Sequence, residues 1–248
     1  MTALSLKEAR LSLAICQPHY VPWIGYYEMI DRVDTFIFLD DAQFTKGGWQ
    51  NRNRIRKTAT ADEPKWFTVP LKKFSLGTPI TGVYPSSRID WIGQNLDSLR
   101  ESYARTPFFE AILPRLEAVL RRGAEASLAD LNIALIQNHC EELGITTRLL
   151  RSSQMDVPGK REARLLRLCQ AVGADYYLAN NATGEYVGPE YFAGHDITFA
   201  LQNYTHPEYE QRHGETVLPF MSHLSILDVL FNQGERSLAI MRQGNPDA

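Results

Sequence analysis

A chain of 248 residues with 44% hydrophobic and 22% charged residues has the balance of an ordinary globular protein, long enough to bury a sizeable core without staples. Its formal net charge of -3 argues against a general nucleic-acid or membrane-surface binder, which needs a basic field, but leaves room for a local basic loop holding one anionic ligand. Cys16, Cys140 and Cys169 make no CxxC pair, which excludes a zinc ribbon or thioredoxin motif; reduced thiols in the cytoplasm are the simplest reading, since the apolar stretch 11–16 is too short for a signal segment or a membrane span.

Residues 11–16 read as a buried strand ending at Gln17-Pro18. After an aromatic, Pro-rich loop, residues 25–32 carry apolar side chains at helical spacing. Residues 35–39 read as a second strand closed by Asp40-Asp41, 45–57 as a Gly-containing basic loop, and 65–70 as a third strand. Three helices follow. Residues 90–103 open on an Asp in N-cap position, and 107–122 come next. Residues 127–143 start with Ser127 and Asp130 in capping spacing and stop at Gly144. Strands at 146–150, 175–179 and 197–201 alternate with a helix at 160–172 and a helical turn at 188–192, and 225–233 is a short helix stopped by Gly234. This alternation predicts a single α/β domain with a mostly parallel sheet flanked by helices and a helical subregion at about 90–143. Residues 244–248 are expected to fray.

Ligands of open α/β sheets bind at the carboxyl ends of strands, so polar groups there are the candidates. The loop after the first strand offers Gln17, His19 and Tyr20, stiffened by Pro18 and Pro22; its plain alternative is a rigid packed loop. Asp40 and Asp41 are the candidate catalytic acids, able to orient an amine or accept its proton, with turn chemistry as the competing role. Gln43, Lys46, Trp49, Asn51, Arg52 and Arg54 form a basic, amide-rich segment with a stacking surface, suited to a phosphate-bearing ligand, or else a solvated loop. Asn180 and Thr183 stand in a polar loop 180–186 after a strand, where a cap and turn is the alternative. His206 offers a general base, and Asp228 and Asn232 fall four apart on one helix face. Cys16 and His19 invite a nucleophile pair, although a buried thiol beside an apolar strand is commonly inert. No P-loop, GxGxxG, HExxH or GxSxG occurs, and no third ligand joins His206 and His213, so no metal is expected. The cofactor is left open, ATP or another nucleotide included, as is the oligomeric state.

The segments QPHYVPWIGYYEMI, VDTFIFLDDAQFTKGGWQNRNRI, GADYYLANNATGEY, YTHPEYEQ and LSILDVLFNQG together resemble the WbqC-like family, in the family's order and over nearly the whole chain. The resemblance marks Gln17, Pro18, Tyr20, Pro22 and Gly25, then Asp40, Asp41, Gln43, Asn51, Arg52 and Ile55, and near the end His206, Pro207, Asp228, Asn232 and Gly234 as motif positions. It implies an aminoacyl or acyl (glycine-type) transferase that forms an amide on an amino sugar or sugar nucleotide in surface-polysaccharide (O-antigen) synthesis. A non-catalytic binder of a nucleotide-linked sugar, or a scaffold, is the alternative. The strand, Pro-rich loop and helix also resemble nucleotidylyltransferase-like folds, but the HxGH histidines of those enzymes are replaced by Pro22-Trp23-Ile24-Gly25-Tyr26, so the likeness bears on the fold and not on the reaction.

Overall fold

A computed structural model describes residues 5–58, 61–185 and 187–245. In chain order the elements are β1 (Ser12–Cys16), α1 (Ile24–Asp31), β2 (Thr35–Phe38), β3 (Arg52–Arg56), β4 (Pro64–Thr68), α2 (Trp91–Tyr103), α3 (Phe109–Arg122) and α4 (Leu128–Leu143). The second half holds β5 (Arg148–Arg151), α5 (Arg161–Val172), β6 (Tyr176–Ala179), α6 (Asn181–Gly184), α7 (Pro189–Ala193), β7 (Thr198–Leu201), β8 (Gln211–His213), β9 (Thr216–Leu218), α8 (Ile226–Gln233) and α9 (Ser237–Gln243).

Five strands make one parallel sheet in the order β5-β2-β1-β6-β7. All five residues of β1 are buried, as a central parallel strand with both faces covered requires. Its side chains divide by the two-residue period. Ala14 and Cys16 join the cluster under α1–α4 and α8, whereas Leu13 and Ile15 join the one formed with Leu165 of α5 and Phe192 of α7. The helix ends follow the predicted chemistry. Asp90 accepts from the Gly93 amide at 2.9 Å, Ser127 accepts from the Asp130 amide at 3.1 Å, and Gly144 takes φ +75° to close α4.

The segment 45–57, expected to be a loop throughout, contains β3. It pairs antiparallel with β4, so the predicted third strand belongs to a hairpin outside the parallel sheet. Arg52-Asn53-Arg54-Ile55 alternates, with Asn53 and Ile55 buried, and that period outweighs the charge that made the stretch read as solvated. A second hairpin, β8–β9, and the helix α9 lie in the C-terminal third, where no strand or helix was expected at those positions. The frayed tail was expected at 244–248; of it, 246–248 lie outside the described residues, as does Tyr186 of the polar loop.

The chain leaves β1 for β2 and β5 on one side, then returns to β6 and β7 on the other. The strand order therefore reverses between β1 and β6, where a crevice opens beyond the carboxyl ends of an open α/β sheet.

Candidate functional site

A cavity of about 420 Å³ lies at this switch point. Cys16 at the end of β1 and Asn180 at the end of β6 both line it, and the Asn180 amide donates to the Cys16 sulfur at 3.5 Å. The loop after β1 supplies His19 and Trp23, and α1 supplies Gly25, Tyr26 and Met29. Trp49, Asn53 and Arg54 come from β3 and the segment before it, Gln202 and Tyr204 follow β7, and His223 precedes α8.

The loop 17–23 is held in place from several sides. Asn132 on α4 donates to the carbonyls of Pro18 (2.9 Å) and Gln50 (2.7 Å), and Gln50 donates to the Gln17 side chain. Asn53 donates to the carbonyls of Tyr20 (3.2 Å) and Val21 (2.9 Å), and the Ile226 amide donates to Pro22 O (2.8 Å). Val21 has φ +36°, a strained value for a β-branched residue that persists only where surroundings over-determine it. The strain sits two residues before Trp23.

Trp23 is the hub of an aromatic wall. Its ring stacks on His206 (centroids 5.9 Å, 23°) and on His223 (5.3 Å, 20°), and meets Tyr204 edge-on at 5.6 Å. Gly25 is required beneath it, because a Cβ there would lie 2.4 Å from a Trp23 ring carbon and 2.8 Å from Tyr204. Beside the opposite side of the mouth, Arg54 lies 5.6 Å from the Trp49 ring and 5.4 Å from that of Trp66, and Arg52 stacks 4.1 Å over Trp66.

Among the described residues that line the cavity, Arg54 is the one charged side chain, and there is no carboxylate. Burial pushes the Cys16 thiol up to about 12, although Asn180 opposes the shift, so the sulfur is protonated at neutral pH. Burial pulls His19 down to about 4, so its imidazole is neutral. His206 is lowered too, chiefly by burial; its Nδ1 donates to Pro207 O at 2.8 Å, which leaves Nε2 as the acceptor. Gln202 donates from one amide nitrogen to Gly25 O (2.6 Å) and to the buried Glu28 (2.5 Å). Burial raises Glu28 to about 7, against the pull of Gln202 and of Arg32 at 3.4 Å.

Of the residues expected from the sequence, His19, Trp49, Arg54 and Asn180 line this cavity, and His206 is stacked on the Trp23 that does. Thr183 holds Asn180, donating to its side-chain oxygen from both backbone nitrogen (2.8 Å) and hydroxyl (3.1 Å). Gln17 is bound to Gln50, Tyr20 is fully buried under the Asn95 amide, and Asn51 donates to Val69 O. Gln43 and Lys46 are exposed outside the lining, and Arg52 is engaged with Trp66 and Gly47 O. Asp228 is fully buried and accepts from Tyr209 and Gln211, while Asn232 accepts from the Arg212 amide, so these two anchor β8 to α8.

Asp40 and Asp41 are gathered elsewhere, at the carboxyl ends of β2 and β5. Asp40, fully buried, accepts from Arg151 (2.7 Å), from the Ser153 amide (2.9 Å) and hydroxyl (2.7 Å), and from Ser152 (3.2 Å). Asp41 accepts from Ser152 at 2.6 Å and pairs with Arg164. With these donors filling their oxygens, and with neither acid in the lining, the pair ties β2 to β5 and the start of α5.

The lining residues Gln202 and His223 lie outside the candidate segments, whereas Trp23 and Tyr204 fall within them, in the loop after β1 and the YTHPEYEQ segment, without being singled out there. Gln202 directly follows a predicted strand, so the strand-end rule applied to the other loops reaches it; His223 arrives through the packing of α8, and no local pattern marks it.

A family model described as the WbqC-like protein family matches residues 17–240. The chain is 32% identical over 234 residues to the uncharacterized protein Rv1507c of Mycobacterium tuberculosis (strain ATCC 25618 / H37Rv), an alignment covering 93% of this chain and 97% of that protein. No solved structure matches. Among the described residues no helix is long and apolar enough to cross a membrane.

Proposed function

We propose that this chain, which belongs to the WbqC-like protein family, binds a nucleotide-linked amino sugar in the switch-point cavity and transfers an acyl or aminoacyl group to its amine, as a step in surface-polysaccharide synthesis. The observation that carries the reading is the composition of that cavity: aromatic rings for the faces of a base or sugar, amides for hydroxyls, and one guanidinium for phosphate. In the transfer, the amine nitrogen attacks the donor carbonyl. The carbonyl's bond to its leaving group breaks, the leaving group departs with the bonding pair, and the amine proton passes to an imidazole nitrogen. His19 stands in the lining with its imidazole deprotonated and so is placed to take the proton, whereas the oxygens of Asp40 and Asp41 are occupied by Arg151, Arg164 and the serines; the burial that lowers His19 makes it a weak base, so the role rests on its position. The three unpaired, buried thiols fit a reducing cytoplasm.

Binding without turnover is the second reading. It is favoured by a lining in which the thiol is protonated and no carboxylate is present among the described residues. Calorimetry with nucleoside-diphosphate amino sugars tests both readings, followed by product analysis with an activated aminoacyl donor. Binding that falls at least about tenfold in Arg54→Ala, the worth of one charge-assisted hydrogen bond, supports the site. Amide product that disappears in His19→Asn with binding retained supports the transfer. No binding of any such ligand overturns the proposal, and binding with no product in the wild type leaves the second reading.

A further inference from the structure

Charge along this chain is segregated in one place that its total conceals. The chain has 29 acidic residues, yet none falls between Pro64 and Ile89, a stretch that holds Lys65, Lys72, Lys73 and Arg88. Lys65 is neutralised by Glu101 at 2.6 Å. Lys72, Lys73 and Arg88 form no ion pair among the described residues, and they line a separate recess of about 290 Å³ together with Ser86 and Ser87. Three cations and two hydroxyls around one recess match a phosphate diester.

Beside this recess the chain carries an exposed apolar tip. Leu76 is 97% exposed, and a Cβ on the adjoining Gly77 would meet nothing within 4 Å, so the tip projects into open space. Phe74, Tyr84 and Ile89 are also exposed. The tip is firmly held. The Phe44 amide donates to Thr78 O (2.9 Å), the Ile80 amide to Ala42 O (2.9 Å), and the rings of Phe44 and Phe74 are 5.0 Å apart. At the recess the Lys72 amide donates to Tyr84 O (2.9 Å) and the Ser86 amide to Pro70 O (2.7 Å). A rigid, projecting leucine flanked by cations outside any ion pair, in a stretch whose bounding acid Asp90 is engaged as the cap of α2, is the arrangement of an interfacial anchor, in which apolar side chains enter the acyl boundary and basic ones hold anionic headgroups.

We propose that this face docks the protein on an anionic phospholipid surface, with a lipid phosphate in the Lys72–Lys73–Arg88 recess and Leu76 inserted below it. Each cation at such a surface is worth about fivefold in partitioning. The test is sedimentation of the full chain with vesicles of phosphatidylcholine alone and of phosphatidylcholine mixed with phosphatidylglycerol. The expected result is salt-sensitive binding to the mixed vesicles only. It should fall roughly 100-fold in K72Q/K73Q/R88Q. In Leu76→Ala it should weaken with its salt dependence unchanged. Because these side chains are surface groups, thermal melting of both variants should match the wild type, which separates a missing anchor from a damaged fold. Equal binding to both vesicle types, wild-type binding by the triple variant, or binding of inorganic phosphate in the recess without vesicle binding each overturns the proposal.

Discussion

Two single residues decide how the Trp23 wall is set. At Gly25 a methyl group would sit 2.4 and 2.5 Å from carbons of the Trp23 ring, closer than real side chains approach, so the ring has to swing away. Gly25→Ala should therefore cost about 1–3 kcal/mol of stability, as overpacking does. It should also weaken binding of a nucleotide sugar about tenfold, the worth of one aromatic stacking interaction; calorimetry showing unchanged affinity would remove Trp23 from the site. Asn53 acts from the other side. Its amide satisfies the carbonyls of Tyr20 and Val21 and so holds Val21 at φ +36°. Asn53→Ala leaves two carbonyls without that donor and lets a strained residue relax, so urea denaturation should show a loss of about 1–3 kcal/mol. Ligand affinity should fall with it, because the loop that carries His19 and Trp23 is no longer pinned. A variant that loses stability but keeps affinity would mean that the strain has no part in shaping the site.

At the scale of elements, the acid pair after β2 and the polar groups after β1 and β6 stand in equivalent places on the sheet but have different surroundings: the acids are held by ion pairs and hydrogen bonds, and the polar groups line a cavity. Between β2 and β5 the strand ends are closed by Asp40 with Arg151, and between β1 and β6 they are open. Arg151→Ala leaves the Asp40 carboxylate buried without its counter-charge and should cost roughly 3–5 kcal/mol in urea denaturation. Because the clamp lies outside the cavity lining, affinity for the cavity ligand should hold at temperatures where the variant is folded. A large affinity loss in folded Arg151→Ala would return the acids to the site. This contrast also marks the limit of what the sequence makes legible. The buried strands, the caps at Asp90 and Ser127 and the left-handed Gly144 are read from local patterns, because local hydrogen bonds and periodicity cause them. The strand-end rule finds His19 and Asn180 for the same reason. It cannot separate them from Asp40 and Asp41, since which strand end opens depends on strand order, a long-range property. β3 escapes notice because its alternation is written in Arg and Asn, whose burial comes from partners distant in sequence: Asn53 bonds the loop after β1, and Arg56 bonds Gln211 and Pro219 O from the β8–β9 region. His223 reaches the cavity only through the packing of α8.

For the molecule as a whole, histidines and carboxylates shifted by burial set opposing responses to pH, and His19, His139 and Glu28 show both signs. His19 and His139 are lowered by burial to about 4 and about 3, from 6.5 in the unfolded chain. Between pH 5 and 6 the unfolded chain therefore holds protons at both histidines that the folded chain lacks, and stability rises with pH. Glu28 runs the other way. Burial raises it to about 7 from 4.5, so in the same window the folded chain holds a proton that the unfolded one has released, and this contribution falls as pH rises, flattening only above 7. The lowered histidines, His206 among them, thus favour a rising slope, and the raised carboxylates, Glu28 with Glu142 and Asp228, oppose it. Replacing Glu28 by Gln keeps an acceptor for Gln202 while removing the titration. Urea denaturation of Glu28→Gln at pH 5 and 6 should then give a slope steeper than wild type by about one proton, roughly 1.4 kcal/mol per pH unit. Parallel curves for the two proteins would mean that Glu28 is already ionised in the fold at pH 5, with Arg32 holding its charge. The carboxylate touching Gln202 would then present a fixed negative charge one hydrogen bond behind the cavity, which an anionic ligand at Arg54 would have to tolerate.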